Sequence, residues 1–315
     1  MVQNKQPLYV ITDKVNSGAL NELLNNTFGI DEQSIQYVKR GINSRKNRCT
    51  YAVMKAADLV GFITAWKTIF HPYTTYFAMV VHPRFRNGQV ERLLLQQIEG
   101  NNHVTFPLQT SCWETNVSFK DFYERTGFKE LRRTFITSLN VQNSIRLLVN
   151  TPSKLLKVQT FSELHELEEQ REIIYFIMRT YEETHKSNPL GVYDENIWEQ
   201  IIFGDDTILK GSFIVRDMNG LVGFALLHYS DMENKLEFGW RGTRDLTDLS
   251  YIHFLTSLQI KFALKSRYEV IEGEIDTTDI YSLEMLKYFP FSPAPAWITY
   301  QMKEGERCND QSSLI

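Results

Sequence analysis

Residues 50–62 read T-Y-A-V-M-K-A-A-D-L-V-G-F and residues 212–224 read S-F-I-V-R-D-M-N-G-L-V-G-F. The two align without a gap at a constant offset of 162 residues, so that Thr50 faces Ser212, Val53 faces Val215, and Leu59-Val60-Gly61-Phe62 equals Leu221-Val222-Gly223-Phe224. An offset of half the chain is too long for a solenoid, whose units are a few tens of residues. It suits two copies of one domain, and a length of 315 residues is enough for two separate cores.

Outward from each segment the same order of elements recurs. In the first copy the patterning predicts a strand at 8–12, a helix over 16–28 and a second helix opening at Asp31, whose carboxylate suits an N-cap. Strands at 49–55, 59–68 and 74–82 form a meander, ended by Pro83 because proline cannot donate to a sheet ladder. A helix over 90–99 follows from the spacing of Val90, Leu93, Leu94 and Ile98. Strand 104–112, helix 118–125 and strand 128–139 complete the copy, with Gly127 placed to stop the helix. The second copy predicts strand 155–160, helices 162–184 and 194–203, a meander of 212–217, 221–229 and 235–240, helix 249–264, strand 270–276, helix 280–288 and strand 296–302. The central helix of each half must join neighbouring parallel strands. Each half is therefore α/β, with a mixed, mostly antiparallel sheet flanked by helices. The domains are expected at 1–143 and 153–303, across a polar junction at 141–152, with a disordered tail at 304–315.

Composition sets bounds. A net charge of −4 gives no reason to expect a nucleic-acid or membrane partner. Cys49, Cys112 and Cys308 are too few and too scattered for a disulfide framework or a zinc site. The first ten residues lack the pattern of a signal peptide, and no apolar run approaches spanning length, so the expected location is the cytoplasm.

Two motifs carry chemistry. One is Asn116-V-S-F-K-D-F-Tyr123-E-R-T-Gly127-Phe128, and the other is the stretch from Val80 and Val81 through Arg84, Arg86, Asn87, Gly88, Gln89, Val90, Glu91 and Arg92 that opens the central helix. With the V-G-F meander, they make each half resemble the GNAT superfamily of CoA-dependent N-acyltransferases. Spacing agrees, since Phe62 to Phe128 is 66 residues and Phe224 to Phe291 is 67.

The resemblance implies acetyl-CoA, or another acyl-CoA, as co-substrate and a small primary amine as acceptor; the alternative is a non-catalytic acyl-CoA-binding or scaffold protein whose phosphate loops have decayed, and either a monomer or a homodimer is expected. It places the CoA site at Val80, Val81, Arg86, Asn87, Gly88, Gln89, Val90, Glu91, Arg92 and Asn116. Backbone N–H groups and the helix dipole would cradle the pyrophosphate there. Gln89 and Glu91 stand where glycine or alanine is usual, and a carboxylate beside a pyrophosphate is unfavourable unless it points away. A backbone N–H at Val80–Val81 would polarise the thioester carbonyl. Tyr123 would protonate the leaving thiolate, a phenol near pKa 10 being matched to that task. Read from the residues alone, Tyr123 is one aromatic of a core-facing stripe with Phe119 and Phe122. Glu114 is the candidate base, or a solvated carboxylate. His71 and His82 are further candidates, or serve their proline turns. Cys112 could carry an acyl group or act as a small apolar residue. Phe70, Tyr73, Tyr76 and Trp113 line an acceptor pocket or fill the core.

The second copy departs further, with no glycine or arginine in Thr247–Ile252, and with Asp279, Leu286 and Pro290 at the places of Asn116, Tyr123 and Gly127. Glu237, on the third meander strand, is either a base or the outward residue of an alternating strand, and 240–243 (W-R-G-T) is a polar strand end that could still contact a ligand. This copy reads as the diverged one.

Overall fold

The structure is a computed structural model, and it describes residues 7–12, 15–152, 155–192 and 194–306. The expected tail beyond Glu306, with Cys308, lies outside the described residues.

The first half runs β1 (Leu8–Thr12), α1 (Ser17–Phe28), α2 (Glu32–Asn43), β2 (Asn47–Lys55), β3 (Asp58–Trp66), β4 (Thr75–Val81), α3 (Gln89–Glu99), β5 (Leu108–Trp113), α4 (Val117–Arg125) and β6 (Lys129–Asn140). The second runs β7 (Lys157–Thr160), α5 (Leu167–Thr184), α6 (Glu195–Ile202), β8 (Phe213–Asp217), β9 (Gly220–Tyr229), β10 (Lys235–Thr243), α7 (Ser250–Lys265), β11 (Val270–Asp276), α8 (Ile280–Tyr288) and β12 (Ala296–Met302). Local chemistry sets many ends. The Asn16 side chain accepts from the Gly18 and Ala19 amides, and Asp31 accepts from the Ser34 amide, satisfying donors that a helix start leaves open.

Three elements differ by three residues or more from the bounds that the patterning predicts. β5 begins at Leu108 and not at Val104, because the Val104 amide closes a turn on the Asn101 carbonyl and Pro107 has no N–H to give a ladder. α5 begins at Leu167. Residues 161–163 before it form a separate 3₁₀ turn, closed by the Glu163 carboxylate on the Thr160 amide at 2.6 Å. β10 continues to Thr243, with a register shift between Phe238 and Arg241.

Contacts divide the chain into two compact units. One holds the chain up to Leu131 together with the chain from Ile298; the other holds Arg132–Trp297. The division expected at 143–153 is therefore not where the units separate. Each half finishes with a strand that completes the sheet of the other. In the first unit the strand order is β1-β2-β3-β4-β5-β12, and in the second it is β6-β11-β10-β9-β8-β7. The physical reason is pairing. β6 lies antiparallel to β11 from Asn140↔Val270 to Thr134↔Asp276, burying Leu139 completely. Beside β5, Ser111 and Thr299 share a hydroxyl hydrogen bond of 3.0 Å, and Gln301 donates to Gln109 at 3.2 Å.

The repeated V-G-F glycine is where the central helix meets the sheet. A Cβ on Gly61 would lie 2.5 Å from a Val90 methyl of α3, and one on Gly223 would lie 3.2 Å from a Leu255 methyl of α7. Close helix–sheet packing excludes a side chain at Gly61, while at Gly223 the Leu255 methyl and the Gly242 carbonyl, at 3.1 Å, would have to give way. Leu23, Leu24 and Val38 of α1 and α2 cover the other face of the first sheet, over Phe62, Ala78 and Val80. In the second unit, Ile173, Ile177 and Trp198 of α5 and α6 do the same over Ile214, Phe224 and Leu226.

Candidate active site

The geometry of the site starts from two parallel strands that separate. β4 and β5 pair only at Thr75↔Leu108 and Tyr76↔Gln109. Beyond Tyr76 they part, while β4 stays in register with β3 up to Gly61↔Val81. The His82 amide donates to Val60 at 2.9 Å. In an antiparallel ladder hydrogen-bonded pairs alternate, so the peptides of Val80 and Ala78 are engaged with β3. Those of Met79 and Val81 face the gap. Of the two residues expected to polarise a carbonyl, Val81 faces the gap and Val80 does not. Met79, unnoticed in the sequence, takes its place.

Next to this gap, linked to it by Arg86, lies a cavity of about 330 Å³ lined by Thr27, Phe28, Asp31, Arg86, Trp113 and residues 115–118 (T-N-V-S). Arg86 and Asn116, 30 residues apart in sequence, converge here. Arg86 Nε donates to the Val81 carbonyl at 3.1 Å and its guanidinium sits over the Phe119 ring at 5.3 Å. Burial lowers its pKa, while Glu91 and Tyr123 nearby hold it up. Asn116 is the N-cap residue of α4 and makes no side-chain cap bond. On the opposite wall the Asp31 carboxylate is occupied, accepting from Trp113 Nε1 at 3.0 Å and from the Ser34 amide and hydroxyl.

The start of α3 is closed on itself. Gly88 has φ +88°, a conformation that favours glycine. Its amide donates to Glu91 Oε2 at 3.0 Å, and the Gln89 amide donates to Asn87 Oδ1 at 3.0 Å. Glu91 is 1% exposed. Burial raises its pKa against its own and the Gly88 backbone amides and Arg86. It points away from solvent, and the Val90 side chain is buried under Gly61. Arg84 and Arg92 are exposed.

Tyr123 lies beneath the gap and not in its wall. It is 2% exposed, stacked on Phe119 at 5.7 Å and set edge-on to Phe77 at 6.1 Å, with Phe128 and Tyr300 at 5.5 and 5.6 Å. Burial pushes its phenol well above 10, with Cys112 adding to the rise and a Thr110 hydroxyl opposing it. The aromatic stripe with Phe119 and Phe122 is thus realised, and a proton donor lies among its rings. Glu114 occupies the turn after β5, half-buried between the pocket residues Trp113 and Thr115. Cys112 is buried, its thiol pushed up to about 12, which suppresses the thiolate that acyl-cysteine chemistry needs. The His82 imidazole serves its loop, Nδ1 accepting from the Arg84 amide, and the backbone amide of His71 donates to the Thr68 hydroxyl. Tyr76 stacks on Trp66 at 5.9 Å, and Tyr73 is exposed.

The second unit repeats the separation. β10 and β11 pair from Lys235↔Val270 to Phe238↔Gly273 and then part at the register shift in β10. Here the gap is filled. The Arg241 guanidinium, 3% exposed, donates to Thr256 Oγ1 at 3.0 Å and to the Gly239 carbonyl at 3.3 Å, and burial brings its pKa down to about 10. Tyr281 donates to the Thr243 carbonyl at 3.3 Å, the counterpart of the Arg86–Val81 contact. On the other face, Glu237 opens into a cavity of about 310 Å³ with Glu272 and Glu274. Burial raises the Glu237 pKa, and Glu274 and Glu272 raise it further. Among the described residues, no group of His, Cys, Asp and Glu could hold a metal ion, and no helix is long and apolar enough to cross a membrane.

A meander, a crossing helix and two parting parallel strands occur twice, and the fold is one shared with solved GCN5-related N-acetyltransferases. The chain superposes on a GCN5-related N-acetyltransferase from Sphaerobacter thermophilus with a TM-score of 0.58 and 11% identity, covering 98% of each chain. It superposes on a tandem GNAT protein of the clavulanic acid biosynthesis pathway with a TM-score of 0.53 and 11% identity, over 94% of this chain and 98% of that one. It also matches a glucosamine N-acetyltransferase region in a fungal multi-domain GH3 β-N-acetylglucosaminidase, with a TM-score of 0.62 and 11% identity, over 94% of this chain and 38% of that one. No family model and no curated protein matches the sequence.

Proposed function

We propose that the protein transfers an acyl group, acetyl in the simplest case, from an acyl-CoA thioester to a primary amine, and that the first unit does it. The observation that carries this reading is the gap between β4 and β5, with the Met79 and Val81 peptides facing into it and Arg86 and Asn116 meeting at its mouth. Donors fixed in a strand cost no reorganisation when a carbonyl oxygen gains charge. The peptide groups of an acyl-pantetheine arm suit such a strand edge.

In the direct reaction a neutral amine attacks the thioester carbon, the carbon–sulfur bond breaks, and the thiolate takes a proton. One of the Met79 and Val81 amides would hold the carbonyl oxygen and the other would face the pantetheine arm, since residues two apart on a strand are about 6.6 Å from each other. Tyr123 would supply the proton, reaching the gap from below. The phenol is protonated at neutral pH, and burial, which raises its pKa, makes it a weaker acid toward the thiolate than a free phenol. Glu114, at the end of β5, would accept the proton that the amine loses. The second unit, its gap filled by Arg241 and Tyr281, would serve the acceptor or the stability of the pair. Acceptor identity and acyl length are not set by the fold.

A second reading has its own observation: the burial of Tyr123 favours a protein that binds an acyl-CoA without turning it over. Calorimetric titration with acetyl-CoA and with CoA, on wild type and Arg86→Ala, tests the shared premise. Binding that weakens about tenfold, or roughly 1.4 kcal/mol, in the variant supports a working site in the first unit. Wild-type protein that binds neither ligand would sink both readings. Where binding is found, acetyl transfer across a panel of amines separates catalysis from binding alone.

A further inference from the structure

A CoA thioester offers two things to recognise, an acyl-pantetheine arm and, beyond it, a pyrophosphate. The first unit keeps the strand edge that fits the arm. The helix start that would take the pyrophosphate is already used. Two of its leading amides, those of Gly88 and Gln89, donate to Glu91 Oε2 and Asn87 Oδ1, each at 3.0 Å. The cation beside them is also engaged, since Arg86 reaches inward to the Val81 carbonyl and over Phe119.

A buried carboxylate on a helix start supplies the negative charge that the dipole favours. An arriving pyrophosphate would have to displace it or lie against it, and like charges at that range repel. The central helix of the second unit follows the same plan. Its approach is closed by Asp245 on the Thr247 amide at 2.9 Å and by Asp248 on the Ser250 amide at 3.2 Å.

We infer that the acyl donor is recognised through its pantetheine thioester arm, that the nucleotide end adds little to binding, and that Glu91 is the residue that sets this selectivity. The inference rests on the acyltransferase reading of the first unit. It concerns which portion of the donor is bound, and leaves the bonds made and broken as described above. Pantetheine thioesters occur as free acyl-CoA and as shorter phosphopantetheine arms, so probes of both lengths belong in the test.

Calorimetry would compare S-acetylpantetheine, S-acetyl-4′-phosphopantetheine and acetyl-CoA on wild-type protein and on Glu91→Gln and Glu91→Ala. Wild type is expected to bind the three within about threefold of one another, because no charge-assisted amide bonds reward the pyrophosphate. Glu91→Ala, which frees the Gly88 amide and removes the charge, should tighten acetyl-CoA by about tenfold and leave S-acetylpantetheine unchanged. Glu91→Gln, which removes the charge but can still cap the helix, should give part of that gain. Wild-type acetyl-CoA binding more than about thirtyfold tighter than S-acetylpantetheine, the margin that two charge-assisted bonds would produce, overturns the inference and leaves the acyltransferase reading intact. Failure of all three ligands on wild type overturns the acyltransferase reading and the inference with it. The wild-type comparison decides the matter even where a variant does not fold.

Discussion

Gly61 and Tyr123 are single residues whose meaning depends on what they touch. Gly61 was visible as half of a repeat, and its reason is a Val90 methyl 2.5 Å from where its Cβ would be. Gly61→Ala should therefore destabilise the protein by about 1–3 kcal/mol through overpacking, read as a lower denaturant midpoint with an unchanged slope. Tyr123 was legible as both a catalytic and a core residue, because the same helical spacing serves either. Its ring neighbours establish the core role, while the phenol oxygen lies close enough to Arg86 and Glu91 to feel their charges. Tyr123→Phe keeps the rings packed and removes the proton. On the acyltransferase reading kcat should fall about 10²-fold, the low end for a lost general acid, with KM little changed. A purely structural tyrosine would show a small loss of stability and full turnover.

At the scale of elements, α3 shows how sequence misleads in a specific way. Glu91 read as a poor pyrophosphate partner because only its position on the helix was known. The fold turns it inward, where it closes its own helix start. Its pKa is raised by burial, so the folded state holds the proton more tightly than the unfolded chain does. The sign follows: as pH falls from neutral through the shifted titration towards the ordinary value of 4.5, this group adds stability, and below that the gain is complete. Glu91→Gln should remove that part of the pH dependence, so urea melts of wild type and variant should diverge at pH 7 and converge near pH 4. The predicted strand at 104–112 fails for a comparable reason. Periodicity saw apolar residues, but the Pro107 carbonyl, accepting from the Thr75 amide at 3.0 Å, marks where pairing can begin.

At the scale of the whole molecule, the consequence lies in the exchange of last strands. Ile298, Tyr300 and Met302 are fully buried in the first unit although they end the second half of the chain. Removing the chain from Ile298 should expose the edge of β5 and forfeit roughly 1.5–3 kcal/mol for each large apolar side chain, comparable with the net stability of a domain. Expression of residues 1–143 alone should yield material that aggregates or lacks cooperative unfolding. Co-expression with residues 144–315 should restore a soluble complex by size exclusion. A well-folded, cooperative fragment 1–143 would show that the exchange is dispensable.

The sequence by itself determined the repeat, the order and kind of nearly every element, and the tandem architecture. Those features come from periodicity, caps and glycine positions, all of which are local. Tertiary structure alone decided that the last strands change places, that Met79 and not Val80 faces the gap, that Glu91 closes α3, and that Arg241 fills the second gap. Each of these depends on which side of a peptide or which end of a long side chain meets a partner distant in sequence, and that is set by ladder phase and packing rather than by residue type.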